Sequence, residues 1–193
     1  MRSSPAIKAT PDDSSTPSLR AVPPNPHTDE QYRAQTDPAP ALLAAMMGGR
    51  CTLASIRKIV PLLREDDPEN PWDRVILRHV LAAVRDSSPA DVPLIHSRMR
   101  DAGEYSQPGR QELAYRLTHT ATPRVNHDRI GPLAVALVAQ SLRRRVAGYG
   151  GALTEGADTM SDHDLRHLIE REHAEVQAHY TRLDDIRKAA TTA

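Results

Sequence analysis

The chain contains no phenylalanine and a single tryptophan among its 193 residues. With so few aromatic side chains, a core has to be assembled from Leu, Ile, Val, Met and Ala. That suits helices packed on helices better than a sheet, where aromatic and β-branched residues are favoured. Cysteine is equally scarce. Cys51 stands alone, which excludes a disulfide within the chain and a cysteine-based zinc site, and fits a reducing cytoplasm. An excess of one charge is lacking too. Lys plus Arg and Asp plus Glu each number 25, so no global field attracts nucleic acid or an anionic membrane, and any such contact must come from a local patch. The longest apolar runs, such as Leu133 to Val138, fall far short of the roughly 20 residues of a membrane-spanning helix. The start, Met1-Arg2-Ser3-Ser4-Pro5, lacks the apolar stretch of a secretory signal. These absences predict a soluble, cytoplasmic, all-α protein.

What is present divides the chain. Half of the 16 prolines (Pro5, Pro11, Pro17, Pro23, Pro24, Pro26, Pro38 and Pro40) fall in the first 40 residues, among Ser, Thr and Asp. Such a segment buries too little surface to offset its ordering entropy, so residues 1–39 are expected to form a disordered tail. It is either a plain solvated extension or a tethered recognition arm around Val22-Pro23-Pro24-Asn25-Pro26.

From Pro40 the pattern turns helical, and residues 40–126 read as a bundle. Leu42, Leu43, Met46 and Met47 make a short apolar face that Gly48-Gly49 should end. Leu53, Ile56, Ile59, Val60 and Leu63 repeat at threes and fours, with Pro61 predicting a kink or an end near Val60. After a polar turn from Arg64 to Pro71, a third helix carries Trp72, Val75, Ile76, Val80 and Val84. Ser88-Pro89-Ala90-Asp91 reads as the cap of a fourth, ending at Gly103. A fifth runs from Gln111 to His119 with Leu113 and Leu117 inward.

Residues 127–193 differ in kind. Ile130, Leu133, Ala134, Leu137, Val138, Ser141, Leu142 and Val146 form one long stripe, which Gly148, Gly150 and Gly151 are expected to close. Ser161-Asp162-His163-Asp164 caps a second long helix, on which Ile169, Val176 and Leu183 recur every seventh residue as a narrow seam. The expectation is a long antiparallel hairpin, part of the same domain as the bundle. Its stripes either pack only within the chain or pair with another chain. In the latter case Leu137, Ser141, Leu142, Ile169, Val176 and Leu183 are the candidate dimer seam.

Tests for chemistry return little. The phosphate-binding pattern Gly-x-x-x-x-Gly-Lys-Ser/Thr does not occur, and Gly48-Gly49-Arg50-Cys51-Thr52 lacks its lysine and spacing. His163, His167 and Glu170 share a helix face at metal-ligand spacing, and Glu170-Arg171-Glu172-His173 has the Glu-x-x-His spacing of di-iron bundles. The partner helix from Ile130 to Val146 supplies no acid to complete such a site, so a solvated polar face is expected, with no metal and no cofactor. Cys51 reads as a structural thiol. The one dense basic cluster, Arg143-Arg144-Arg145, falls at an expected helix C-terminus, where the dipole favours cations. Its functional alternative is a contact with phosphate or an acidic partner. A helical metalloenzyme and a small DNA-binding regulator using the fifth helix and these arginines are the competing classes.

Several phrases stand in a telling order: Ala41-Leu42-Leu43-Ala44-Ala45-Met46-Met47, then Leu63-Arg64-Glu65-Asp66-Asp67, then Val92-Pro93-Leu94-Ile95 with Arg100-Asp101-Ala102-Gly103. With this order of elements the chain resembles the N-terminal domain of the bacterial replicative helicase DnaB. The resemblance continues with Thr122-Pro123, Ile130 to Leu137, and Leu142-Arg143-Arg144-Arg145-Val146 leading to Gly151-Ala152-Leu153 and Ala157. The chain departs from the family where an aromatic residue should follow the acidic pair. The resemblance spans about residues 41 to 185 and implies a compact bundle, then a hairpin that pairs into a homodimer or higher oligomer. It further implies primase or the replicative helicase as partner and a role in DNA replication without catalysis. The motor domain that follows in the full helicase is expected to be missing.

Overall fold

Asp37 opens the first helix, α1 (Pro38–Met47), its carboxylate accepting the Ala39 N–H at 3.0 Å. A computed structural model describes residues 37–48, 56–106, 108–121 and 127–191. The proline-rich segment up to residue 36, Gly49, Arg50, Cys51, Thr52, Leu53, Thr122 and Pro123 lie outside the described residues. Helix α1 starts two residues before the composition change, because a proline is tolerated in the first turn, where its missing N–H has no helical partner to lose. Ala39, Leu42, Leu43 and Ala44 to Met47 are all buried, so α1 is apolar nearly all round, as a helix surrounded by others should be. Its neighbours are α2 (Pro71–Arg85), α4 (Arg110–Ala121) and α5 (Ile130–Thr159).

The segment before α2 settles the reading of Pro61. The chain leaves the helical path after Arg57 and tightens into a 3-10 turn at Val60–Leu62, which needs fewer of the donors that Pro61 cannot supply. The polar stretch then folds into a turn in which the Arg64 N–H donates to Asp67 Oδ2 at 2.7 Å. Helix α2 is capped by Asn70, which accepts the Trp72 N–H at 2.8 Å, with Pro71 at its first position. Its face of Ile76, Leu77, Val80 and Leu81 is fully buried.

Helix α3 (Val92–Asp101) departs from the expected start. Its cap is Asp91, whose carboxylate accepts the Leu94 N–H at 2.9 Å, and the proline of its first turn is Pro93. The Ser88-Pro89 signal lies upstream in extended chain: Asp91 reaches the free donors of the first turn and Ser88 does not. The helix stops where expected, at Gly103, whose φ of 76° turns the chain out of the helical path. Helix α4 directs Leu113 and Leu117 into the core, as their spacing predicts.

The hairpin consists of α5 and α6 (Asp162–Thr191). The largest correction concerns its first arm. Gly148, Gly150 and Gly151 do not end α5, which runs on to Thr159. A glycine inside a helix costs only about 1 kcal/mol relative to alanine, and α6 lies alongside to offset that cost by packing. The connection is Met160 and Ser161, and Ser161 caps α6 as predicted, its Oγ accepting the Asp164 N–H at 3.2 Å. At the base of the hairpin the arms approach closely: a Cβ on Gly131 would lie 2.9 Å from the Cβ of Ala190.

One apolar cluster unites α1 to α4 with Ile130 to Leu142 of α5 and Val176, Leu183 and Ile186 of α6. Six α-helices and no strand occur among the described residues, and no helix among them is long and apolar enough to cross a membrane.

Candidate functional site

The hairpin has two halves with different surroundings. In the half next to the bundle, Leu137, Ser141, Leu142, Val176 and Leu183 are buried within this chain. Five of the six candidate seam residues therefore pack in the protomer's own fold, and only Ile169, at 42 % exposure, faces outward. The period of seven on α6 marks packing against α5 and the 3-10 turn at Val60–Leu62.

Beyond Arg145 and Glu172 the two arms lie mainly against each other, with Tyr149 reaching back to pack against the apolar cluster. Gly156 and Leu168 are the buried residues there. A Cβ on Gly156 would lie 3.2 Å from Leu168 Cδ2, so the absence of a side chain at Gly156 admits the leucine. Around this thin contact Val146, Met160 and Ile169 are exposed, and Tyr180 is exposed farther down α6. Ile169, Leu165, Asp162, Arg166 and Glu170 line a shallow groove near the tip. The distal half thus presents scattered apolar side chains on a frame without core behind it.

The arginine cluster lies within α5 and not at its end, because α5 continues past the glycines. The dipole account of the cluster falls with that correction. Arg144 donates to the backbone carbonyl of Asp67. Arg145 pairs with Glu172 at 3.3 Å and more loosely with Glu175 at 3.9 Å. Arg143 is exposed and makes no ion pair among the described residues.

Two ion pairs on buried carboxylates escape a reading of the sequence. Arg182 donates to both carboxylate oxygens of Asp67, at 2.7 and 2.9 Å, and ties α6 to the polar turn. Arg116 of α4 does the same to Asp73 of α2, at 2.7 and 2.8 Å, and this hydrogen bonding raises the Arg116 pKa above its ordinary value. Asp73 gives a weak signal, since an acid in a first turn reads equally well as a helix-dipole partner. Asp67 gives none, because its partner is 115 residues away.

His163, His167 and His173 are on the surface of α6. His163 and His167 approach at 3.1 Å between their Nε2 atoms, and His167 lies 3.9 Å from Glu170. No group of three metal-ligating side chains is disposed to hold an ion among the described residues.

No protein-family model matches the chain, and no curated protein does. Among solved structures it is similar to the crystal structure of the N-terminal domain of DnaB helicase from Mycobacterium tuberculosis. The match has a TM-score of 0.60 at 16 % sequence identity, covering 72 % of this chain and 95 % of that one. The chain has the all-α fold of that domain.

Proposed function

We propose that the protein is a non-catalytic adaptor of DNA replication, which self-associates through the distal hairpin and docks on primase or a replicative helicase. The observation that carries this reading is the hairpin itself. Nearly the whole length of a helicase N-terminal domain is matched in fold, and the part projecting past the core keeps Val146, Met160 and Ile169 exposed. An antiparallel pair with one thin internal contact leaves apolar edges that another protein surface can cover. The alternative of a DNA-binding regulator has less support, because Lys plus Arg and Asp plus Glu balance at 25 each and Arg145 is paired with Glu172.

Sedimentation of the purified chain, with and without purified primase and helicase, tests the proposal. A dimer or larger species is expected. Ile169→Glu should weaken it while leaving the helical signal intact. A monomer that binds neither partner would overturn the reading.

A further inference from the structure

A cleft of about 440 Å³ lies between the polar turn and the hairpin, with Asp66, Arg74, Arg144, Arg145, Tyr149 and Glu172 among its walls. Three guanidinium groups thus face two carboxylates, and one pairing is already made, Arg145 with Glu172. The other two arginines are held by neutral acceptors. Arg74 Nε donates to the Pro68 carbonyl at 2.7 Å, and Arg144 donates to the Asp67 carbonyl. A carbonyl fixes the direction of a guanidinium and leaves its positive charge uncompensated. The neighbouring carboxylate that could compensate it, Asp67, is occupied by Arg182 through both oxygens. Asp66 and Arg74 are both exposed, where solvent screens them, whereas Arg144 is half-buried. Buried nitrogens of Arg144 and Arg145, Nη1 and Nε respectively, also lack an acceptor among the described residues.

We propose that this cleft is an oxyanion site for the phosphate of a small phosphorylated ligand. Arg74 and Arg144 come from different helices, α2 and α5, and so offer donors from two directions. That arrangement suits a tetrahedral group with three terminal oxygens better than a planar carboxylate, which a single guanidinium fork satisfies. The volume exceeds what one phosphate fills and falls in the range of small-molecule sites. The remaining space, walled in part by the Tyr149 ring, accommodates the rest of the ligand. The site takes in Gly148, Tyr149 and Ala152 at the root of the distal hairpin but not Ile169, so an Ile169→Glu chain tests it apart from self-association.

Calorimetric titration of the full chain with inorganic pyrophosphate, with a nucleoside diphosphate and with succinate is the test. Saturable binding of one pyrophosphate or nucleoside diphosphate per chain is expected, with succinate weaker. Arg74→Gln and Arg144→Gln should each weaken it about tenfold or more, since a charge-assisted hydrogen bond is lost in each. Arg100→Gln, on the exposed face of α3, should leave it unchanged. Circular dichroism identifies a variant that fails to fold, and the two arginine variants perturb different helices, so one can stand in for the other. Absence of saturable binding, succinate binding as tightly as pyrophosphate, or full affinity in a folded Arg74→Gln protein would each overturn the proposal.

Discussion

Arg182 reaches from the second arm of the hairpin to Asp67, whose side chain is fully buried, and donates a hydrogen bond to each of its carboxylate oxygens. The pair closes the polar turn against α6. Removing one partner from such a buried pair costs about 3–5 kcal/mol, because the other charge is left without compensation. Arg182→Met is therefore expected to lower the free energy of urea unfolding by about that amount. The double variant with Asp67→Asn should lose less than the two single changes summed. Strict additivity of the two would show that the residues do not stabilise the fold as a pair.

Two glycines of α5 should respond oppositely to alanine. At Gly131 the new methyl would meet Ala190 at 2.9 Å between Cβ atoms, forcing the arms of the hairpin apart. A net loss of about 1 kcal/mol is expected once the gain in helix propensity is subtracted from the overpacking cost. At Gly148 nothing lies within 4 Å, so alanine should raise stability by about 0.5–1 kcal/mol. Thermal unfolding of both variants checks the signs, and a destabilised Gly148→Ala protein would mean that the outer α5 backbone packs against something.

The same glycines show where a sequence reading succeeds and fails. The apolar faces of α1, α2 and α4, the cap at Ser161 and the stop at Gly103 follow from local rules, because short-range periodicity and turn chemistry determine them. Gly148, Gly150 and Gly151 carry the composition of a stop signal, yet packing against α6 carries the helix through them. Asp67 lies in a run of charged residues that reads as solvated turn, and its burial depends on a partner that no local window contains. The seam residues are ambiguous in sequence for a related reason. A period of seven records contact with some helix, and for Val176 and Leu183 that helix is in the same chain.

Asp37 gives a pH dependence. Burial, the largest influence, raises its pKa above the ordinary carboxylate value, although the Ala39 N–H works against this. The folded state then holds the proton more tightly than the unfolded state. Its contribution to stability is fully present below the unfolded pKa and is lost as pH rises through the folded pKa. Asp37→Asn retains a good cap and removes this loss. The variant should match or exceed the parent near neutrality and show a shallower fall in stability with rising pH. A clearly less stable variant at neutral pH would mean that the cap needs its negative charge.

Backbone conformation supplies a further contrast. Ser87 has a φ of 56°, which costs an L-residue energy that glycine avoids. Ser87→Gly should gain about 0.5 kcal/mol, net of its bond from Arg57. Gly109 has a φ of 88°, and a Cβ there would lie 2.5 Å from the Trp72 ring. Gly109→Ala should lose about 2 kcal/mol or more through backbone strain and overpacking together. Equal melting temperatures for these two variants would refute the contrast.

The thin packing around Gly156 and Leu168 has a consequence for cooperativity. Past Tyr149, which packs against the apolar cluster, the outer arms can separate without disturbing that cluster, so they constitute a unit of their own that opens at a lower free energy than the bundle. Amide protons near the tip should exchange with solvent well before those of α1. A binding partner laid over Ile169 would slow that exchange, and the protection pattern would outline its footprint on the hairpin.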